Sequence, residues 1–337
     1  MLGEGILKHS SIKGTCSYAI YNLNEEIRMN SSSGGIFYSF AKKVIDEGGT
    51  VFGATFDKNG EVYHKCCRTL NQVIDLMQSK YVQSDMKGCY MQIEAALLNR
   101  EKVLFCGTPC QVQGVLSYLN VKLNKSFNDY RKYLITMDLI CHGVPSRMIW
   151  RKYLKEISLG KKIQHINFRD KTNGWRNFSL KIDYEDGTYY LKSWLKDPYV
   201  QGFINNLYLR QSCYECKFRG IDRKSDFTMA DFWGVHNVLP EMFDDKGTSI
   251  LMVHNNYAKD ILMSLEKEFC VCEISNETVA TKNASVISSF QRNPKRIVFF
   301  NNVNNNDQGI LSQKIINALK VPFIIRLKRK FKRILDF

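Results

Sequence analysis

The chain reads as an α/β protein with a mixed, largely parallel central sheet, flanking helices and a β-hairpin insertion. Three observations predict this. From Gly34 to about Ile157, short apolar strand signals alternate with helical ones, the pattern of strands joined by helices. Beyond that, two strand-like runs flank Asp186-Gly187, a dipeptide that marks a hairpin turn. A further strand and helix follow, which suits one mixed sheet with an insertion better than two separate domains.

Taken in order, "GGIFYSFAKKVIDEG" has helical apolar spacing and "TVFGATF" is a buried strand. Helices are expected through "QVIDLMQ" and "YMQIEAALLNR", a strand at "KVLFC", a helix at "QVQGVLSYL", a strand at "YLITMDLI" and a helix at "RMIWRKYLKEI". The β-rich insertion covers about 163–195 and holds the hairpin "FSLKIDYEDGTYYLKSW". "SILMVH" adds a strand and "YAKDILMSLEKEF" a helix. "FNNVNNNDQG", residues 300–309, reads as a polar Asn-rich linker before a last helix and basic tail over 310–337.

With 337 residues, 44% of them hydrophobic and 12% aromatic, the chain can bury a large core. It contains no apolar run of about 18 residues, and "MLGEGILKHSS" lacks the apolar centre of a secretory signal, so a cytoplasmic protein is expected. Eleven cysteines scattered over a long chain are then thiols or ligands rather than a disulfide framework. The net charge of +15 is uneven, since Lys320 to Phe337 alone holds seven Lys/Arg against one Asp. Written as a helix opened by Pro322, that tail puts Phe323, Leu327, Phe331 and Ile334 opposite its cations, which suits an anionic membrane surface on the cytoplasmic side; a solvated or partner-docked terminus is the alternative. No zinc finger, basic zipper or RNP-type run supports nucleic-acid binding.

Metal chemistry is suggested by "SCYECKFRG", where Cys213 and Cys216 make half of a four-thiolate site. Two strands end in similar punctuation: "VLFCGTPC" brings Cys106 and Cys110, and "LICHGVPS" brings Cys141. Ligands of open α/β sheets lie beyond the carboxyl ends of strands, so these turns can face each other, and Cys110 and Cys141 would complete the shell. Cys106 could replace Cys110, although its place in an apolar strand suits a core thiol. Spacing admits zinc or a [4Fe–4S] cluster, and on pattern alone favours zinc. Cys16, Cys66, Cys67, Cys89, Cys270 and Cys272 sit in no paired motif and read as structural. "NSSSGGIF", with Ser31, Ser33, Gly34 and Gly35 before a helix, could cradle an anion or dinucleotide, or be an ordinary helix start. "SKYVQS" offers Lys80, Tyr81 and Ser84 for phosphate or ring contacts, against a solvated loop. His142 is a candidate proton donor, against a hydrogen-bonded structural histidine.

The ordered set "SSSGGIF", "SKYVQS", "FCGTPCQ", "DLICHGVPS", "INFRDKTNGW", "CYECKFRG" and "SDFTMADFWG" resembles the beta subunits of coenzyme F420-reducing hydrogenases and formate dehydrogenases, from about Glu26 to Leu265. The resemblance implies a flavin and iron–sulfur oxidoreductase, with residues 1–299 as its domain. It implies a [4Fe–4S] cluster on Cys110, Cys141, Cys213 and Cys216 in place of zinc, because an adjacent flavin gives a one-electron centre a purpose. It also implies an FAD site at Ser31 and Ser33 to Gly35, together with Lys80, Tyr81, Ser84 and Thr108. Many relatives begin with a ferredoxin-like module of eight cysteines, whereas only Cys16 precedes Cys66 here, so electrons should arrive from ferredoxin or another one-electron donor protein. The chain is also similar to chains encoded among bacterial exopolysaccharide genes, which implies an organic substrate in polysaccharide biosynthesis. A non-enzymatic, metal-stabilised scaffold of a membrane-associated polysaccharide assembly complex is the alternative.

Overall fold

The computed structural model of the chain describes residues 13–86, 88–304 and 309–320. The amphipathic reading of residues 321–337 therefore lies outside the described residues. Eleven strands occur among the described residues: β1 Cys16–Asn22, β2 Thr50–Phe56, β3 Val62–Cys67, β4 Val103–Cys106, β5 Leu134–Leu139, β6 Ile163–Asp170, β7 Ser179–Tyr184, β8 Tyr189–Ser193, β9 Phe227–Asp231, β10 Ser249–Val253 and β11 Phe269–Ile274.

Eight of them form one sheet in the order β11-β1-β10-β9-β5-β4-β2-β3. Its centre is parallel, through the pairs β2–β4, β4–β5 and β5–β9. Its margins are antiparallel. The parallel strands are covered on both faces, as their apolar runs require. Val103 and Phe105 of β4 pack with Ile93, Val112 and Leu119 from the helices Cys89–Leu98 and Pro109–Leu123. Leu104, pointing the other way, joins Phe40 and Val44 of the helix Ile36–Asp46.

Strands β6, β7 and β8 make a separate antiparallel sheet. Its hairpin turns at Asp186-Gly187, where Gly187 takes a φ of 79°. This small sheet packs Phe168 and Leu180 against Trp150, Tyr153, Tyr199 and Tyr208, and onto Phe299, Val303, Leu311 and Ile315 near the C-terminus.

Two expectations are corrected. A helix, Arg296–Asn304, enters the stretch that reads as linker from 300, because Phe299 and Val303, one turn apart and each 2% exposed, anchor it in the aromatic core despite the surrounding asparagines. Residues 305–308, the rest of the Asn run, are outside the described set. The helix expected through "QVIDLMQ" is confined to Leu70–Ile74.

Candidate functional site

Strands β4 and β5 are parallel neighbours, with Cys106 opposite Met137, so the turns that follow them emerge side by side. After β4, Thr108 caps the helix Pro109–Leu123 through a reciprocal capping box with Gln111, which sets Cys110 at the second helical position. After β5 the chain turns through Cys141, His142 and Gly143, the last at a φ of 149°. A Cβ on Gly143 would stand 2.8 Å from Leu209 Cδ1, so glycine lets this turn lie against the segment that carries Cys213. Cys213 lies in a short 3-10 helix, Gln211–Glu215, and Cys216 follows it.

Together these segments wall one cavity, lined by Pro109, Cys110, Cys141, Gly143, Val144, Cys213, Cys216, Phe218, Arg219 and Arg223. All four thiols expected to meet do line it, and Cys106 does not. Cys106 instead packs against the core below the sheet, and burial pushes its thiol up to about 12. The Val144 N–H donates to Cys213 Sγ at 3.4 Å, which ties the Cys141 turn to the Cys213 segment. Arg219 braces the same turn, donating to the carbonyls of Cys141 at 2.6 Å, His142 at 3.2 Å and Ser285.

The electrostatics of the cavity disfavour bare thiolates. Burial, then the nearby Cys213 and Cys110, push Cys141 up to about 12. Burial, with Cys110 and Cys216 nearby, raises Cys213 as well. A cationic core would relieve both penalties, since a metal-bound thiol is held deprotonated. Among the described residues no group of three or more His, Cys, Asp or Glu side chains is arranged to hold a metal ion. Four thiols around one cavity are a donor set that suits an iron–sulfur cluster as well as a single soft ion. The donor set therefore fits an iron–sulfur cluster.

A second constellation adjoins the first. Phe203 touches His142 and Tyr81, with ring centroids 4.8 Å from each, and so links the Cys141 turn to the "SKYVQS" loop. Tyr81 OH accepts from Arg169 at 3.2 Å, and Arg169 also grips Asp231 at 2.8 Å and the Ser32 carbonyl at 3.4 Å. Lys171 Nζ donates to the carbonyls of Arg28, Ser33 and Lys246 at 2.7–2.9 Å. Burial lowers Lys171 to about 7. Lys80 Nζ likewise donates to the carbonyls of Asp75, Met77 and Gln78, and burial lowers it to about 7. Ser84 Oγ lies 2.6 Å from His64 Nδ1. Thr108 Oγ1 lies 3.2 Å from Cys110 Sγ.

The Ser-Gly-Gly turn has much of its polar chemistry spent on the protein itself. Ser31 Oγ donates to Ile27 O, Ser33 Oγ to Thr248 O, and the Gly34 N–H to Ser249 Oγ. A Cβ on Gly34 would meet Ile20 O at 2.6 Å, so this glycine is required by the approach of β1. Gly35, at a φ of 79°, starts the helix Ile36–Asp46 with no side-chain cap. That uncapped N-terminus suits an anionic group, while the neighbouring Arg169 is already paired with Asp231 and burial favours the neutral form of Lys171.

His142 Nε2 lies 2.7 Å from Asn206 Oδ1, its ring wedged between Phe203 and Phe290, and burial lowers it to about 4. It is absent from the cavity lining. Sequence reasoning passed over Arg169, Lys171, Asp231, Arg219 and Arg223. All five lie in or beside the motifs "INFRDKTNGW", "SDFTMADFWG" and "CYECKFRG", where the cysteines carry the plainer signal. Arg169 follows Phe168 but stands among Asn167, Asp170 and Lys171, so the local sequence gives no apolar signal for its burial.

Comparisons with known proteins agree with this geometry. A family model for the C terminus of the coenzyme F420 hydrogenase/dehydrogenase beta subunit matches residues 100–277, a span that contains all four cavity cysteines. A search of curated proteins returns no match. Among solved structures, the chain is similar to one in the F420-reducing [NiFe] hydrogenase complex from Methanosarcina barkeri, at 16% identity and a TM-score of 0.54, covering 89% of this chain and 96% of that one. At that identity the likeness concerns the fold.

Proposed function

This chain belongs to the coenzyme F420 hydrogenase/dehydrogenase beta subunit family, and from that premise we propose that it is an FAD-dependent iron–sulfur oxidoreductase, taking electrons singly from a protein donor and exchanging them in pairs with an organic substrate. The observation that carries the proposal is the convergence of Cys110, Cys141, Cys213 and Cys216 on one cavity from three separate parts of the chain. When bound, a [4Fe–4S] cluster supplies one-electron chemistry and FAD supplies the pairing needed for hydride transfer.

The chain's own residues have distinct tasks. The four thiolates hold the cluster, Arg219 fixes the Cys141 turn, and Pro109, Val144 and Phe218 give the cavity apolar walls. Arg169 and Lys171 hold the Ser31–Gly35 turn through the Ser32 and Ser33 carbonyls and would offer positive charge to a flavin diphosphate, and Lys80, Tyr81, Ser84 and Thr108 are proposed to complete the FAD site. The organic substrate is proposed to be a sugar or lipid-linked glycan precursor, on the likeness to chains encoded among exopolysaccharide genes. Residues 321–337 would hold the protein to an anionic membrane surface.

The donor is proposed to be ferredoxin or a similar acidic carrier. The solved chain of similar fold works within a hydrogenase complex, and here the two segments beside the cavity, 210–224 and 282–296, carry nine Lys/Arg against two carboxylates. Lys217, Lys224, Arg292 and Lys295 are exposed on them, a field that would steer an acidic protein to the cavity mouth.

Purification of the full chain without oxygen tests this reading. About four iron and four sulfide per chain, releasable FAD, and reduction by a plant-type ferredoxin that slows steeply with added salt are expected. A colourless protein holding one zinc and no flavin overturns it and favours a scaffold.

A further inference from the structure

We propose that Arg223 is a positioning residue for electron transfer: its buried guanidinium donates a hydrogen bond to the iron–sulfur core in the thiol cavity and raises the potential at which that core accepts an electron. The inference rests on the cluster reading of the cavity.

Arg223 lines the cavity together with the four cysteines, and its side chain is 5% exposed. Three of its N–H bonds are accounted for. Nε donates to Gly220 O at 3.2 Å, and Nη1 donates to Leu139 O at 3.0 Å and to Asp138 Oδ1 at 3.1 Å. Nη2 is buried with no partner. Leaving a buried charged donor unsatisfied costs on the order of 1–3 kcal/mol, so such an atom calls for an acceptor. Arg219 repeats the pattern in the same wall: its Nη atoms hold three carbonyls, and its Nε is buried without a partner. Donors lacking acceptors thus share a cavity with four sulfurs, of which Cys213 accepts from the Val144 N–H and Cys141 from the Gly143 N–H.

The fork is held rigidly. Asp138, 2% exposed, accepts from Thr228 Oγ1 at 2.5 Å as well as from Arg223. Thr228 Oγ1 lies 2.8 Å from His254 Nε2, and His254 Nδ1 lies 3.0 Å from Thr15 Oγ1. These contacts fix the direction of the guanidinium plane before any cluster is present, so its donors need no reorganisation on reduction. Four thiolates make the oxidised assembly anionic, and an added electron makes it more so. A nearby cation and an N–H donor therefore stabilise the reduced form more than the oxidised one.

The test uses the full chain, purified anaerobically, with potentials read by dye-coupled titration. Arg223→Gln, at iron and sulfide content equal to wild type, should shift the reduction equilibrium about tenfold toward the oxidised form, a fall of about 59 mV for one electron. Arg223→Lys, which keeps the charge and loses the fork, should fall by less, and it carries the comparison if Arg223→Gln loses iron. Pulsed EPR on reduced protein labelled with ¹⁵N-guanidino arginine should show a weak ¹⁵N coupling to the cluster that diminishes in Arg223→Lys. Unchanged potentials in iron-replete variants, or no ¹⁵N coupling in wild type, overturn the proposal. A wild-type protein without iron and sulfide instead sinks the cluster reading on which it rests.

Discussion

The thiol cavity and the Ser31–Gly35 turn differ in what they leave unspent. Around the cavity, two buried guanidinium nitrogens lack partners and burial pushes thiols up. Around the turn, hydroxyls, the Gly34 N–H and the amines of Lys80 and Lys171 are bonded to the protein's own carbonyls and hydroxyls, and one buried nitrogen, Arg169 Nε, lacks a partner. A site whose polar groups stay unsatisfied at a structural cost is shaped for something absent from the polypeptide, whereas a loop that is mostly satisfied is largely explained by folding. The cavity thus argues for its ligand by itself. The turn argues for one through the unpartnered Arg169 Nε and the uncapped helix start beside it.

The largest expected effect breaks the comparison at its strong end. Cys213→Ser should lose most of the iron and sulfide, because a hydroxyl is a poor ligand for iron in place of a thiolate, while Cys106→Ser should keep them. Iron and sulfide analysis of the two purified variants decides it. Full cluster content in Cys213→Ser, or its loss in Cys106→Ser, would mean that the cavity is not the cluster site.

That contrast between Cys106 and Cys110 also shows where legibility in the sequence ends. Both cysteines stand in one Gly-Pro turn, and the spacing alone left either open. Strand β4 ends at Cys106 and the capping box begins at Thr108, so the register of a helix start turns one thiol to the cavity and the other to the core. The central parallel strands β2, β4 and β5 were legible because they are short apolar runs between helices. Strand β3, "VYHKCC", was missed because an edge strand buries only one face, and His64 and Lys65 dilute its apolar signal. Strand β9 was missed for a different reason. It is central, but it is five residues long and includes Thr228 and Asp231, which serve the polar contacts of Asp138 and Arg169. Those contacts join residues some 60–90 positions apart, and no local pattern records such a pairing.

A smaller effect probes the turn. Gly34 was expected to be small so that a phosphate could approach, yet the structure puts Ile20 O at 2.6 Å and Ser249 Oγ at 2.9 Å from where its Cβ would stand. Gly34→Ala should then destabilise the cofactor-free protein by about 1–3 kcal/mol, as overpacking against backbone does. Urea unfolding of cofactor-free wild type and variant measures it. If the cofactor-free proteins are equally stable and only flavin affinity falls, the glycine serves the ligand after all.

The smallest effect is a pH dependence centred on Lys171. Its folded-state value, lowered by burial to about 7, lies well below the ordinary lysine value of about 10.4. Between those two values the unfolded chain binds the proton that the folded chain has released, so stability rises with pH through this window, by at most about 1.4 kcal/mol per unit, and the contribution is flat below it. Lys80 is lowered to about the same value and adds a similar slope, so the informative quantity is the difference between wild type and Lys171→Met. From pH 7.5 to 8.5 wild type should gain about 1 kcal/mol relative to that variant in matched urea titrations. Saturating FAD sharpens the result, because a diphosphate beside Lys171 would hold its proton on and flatten the difference. Equal slopes without FAD would mean that the three carbonyls holding Nζ keep it charged. A slope that persists unchanged with bound FAD would place the flavin's phosphates away from Lys171.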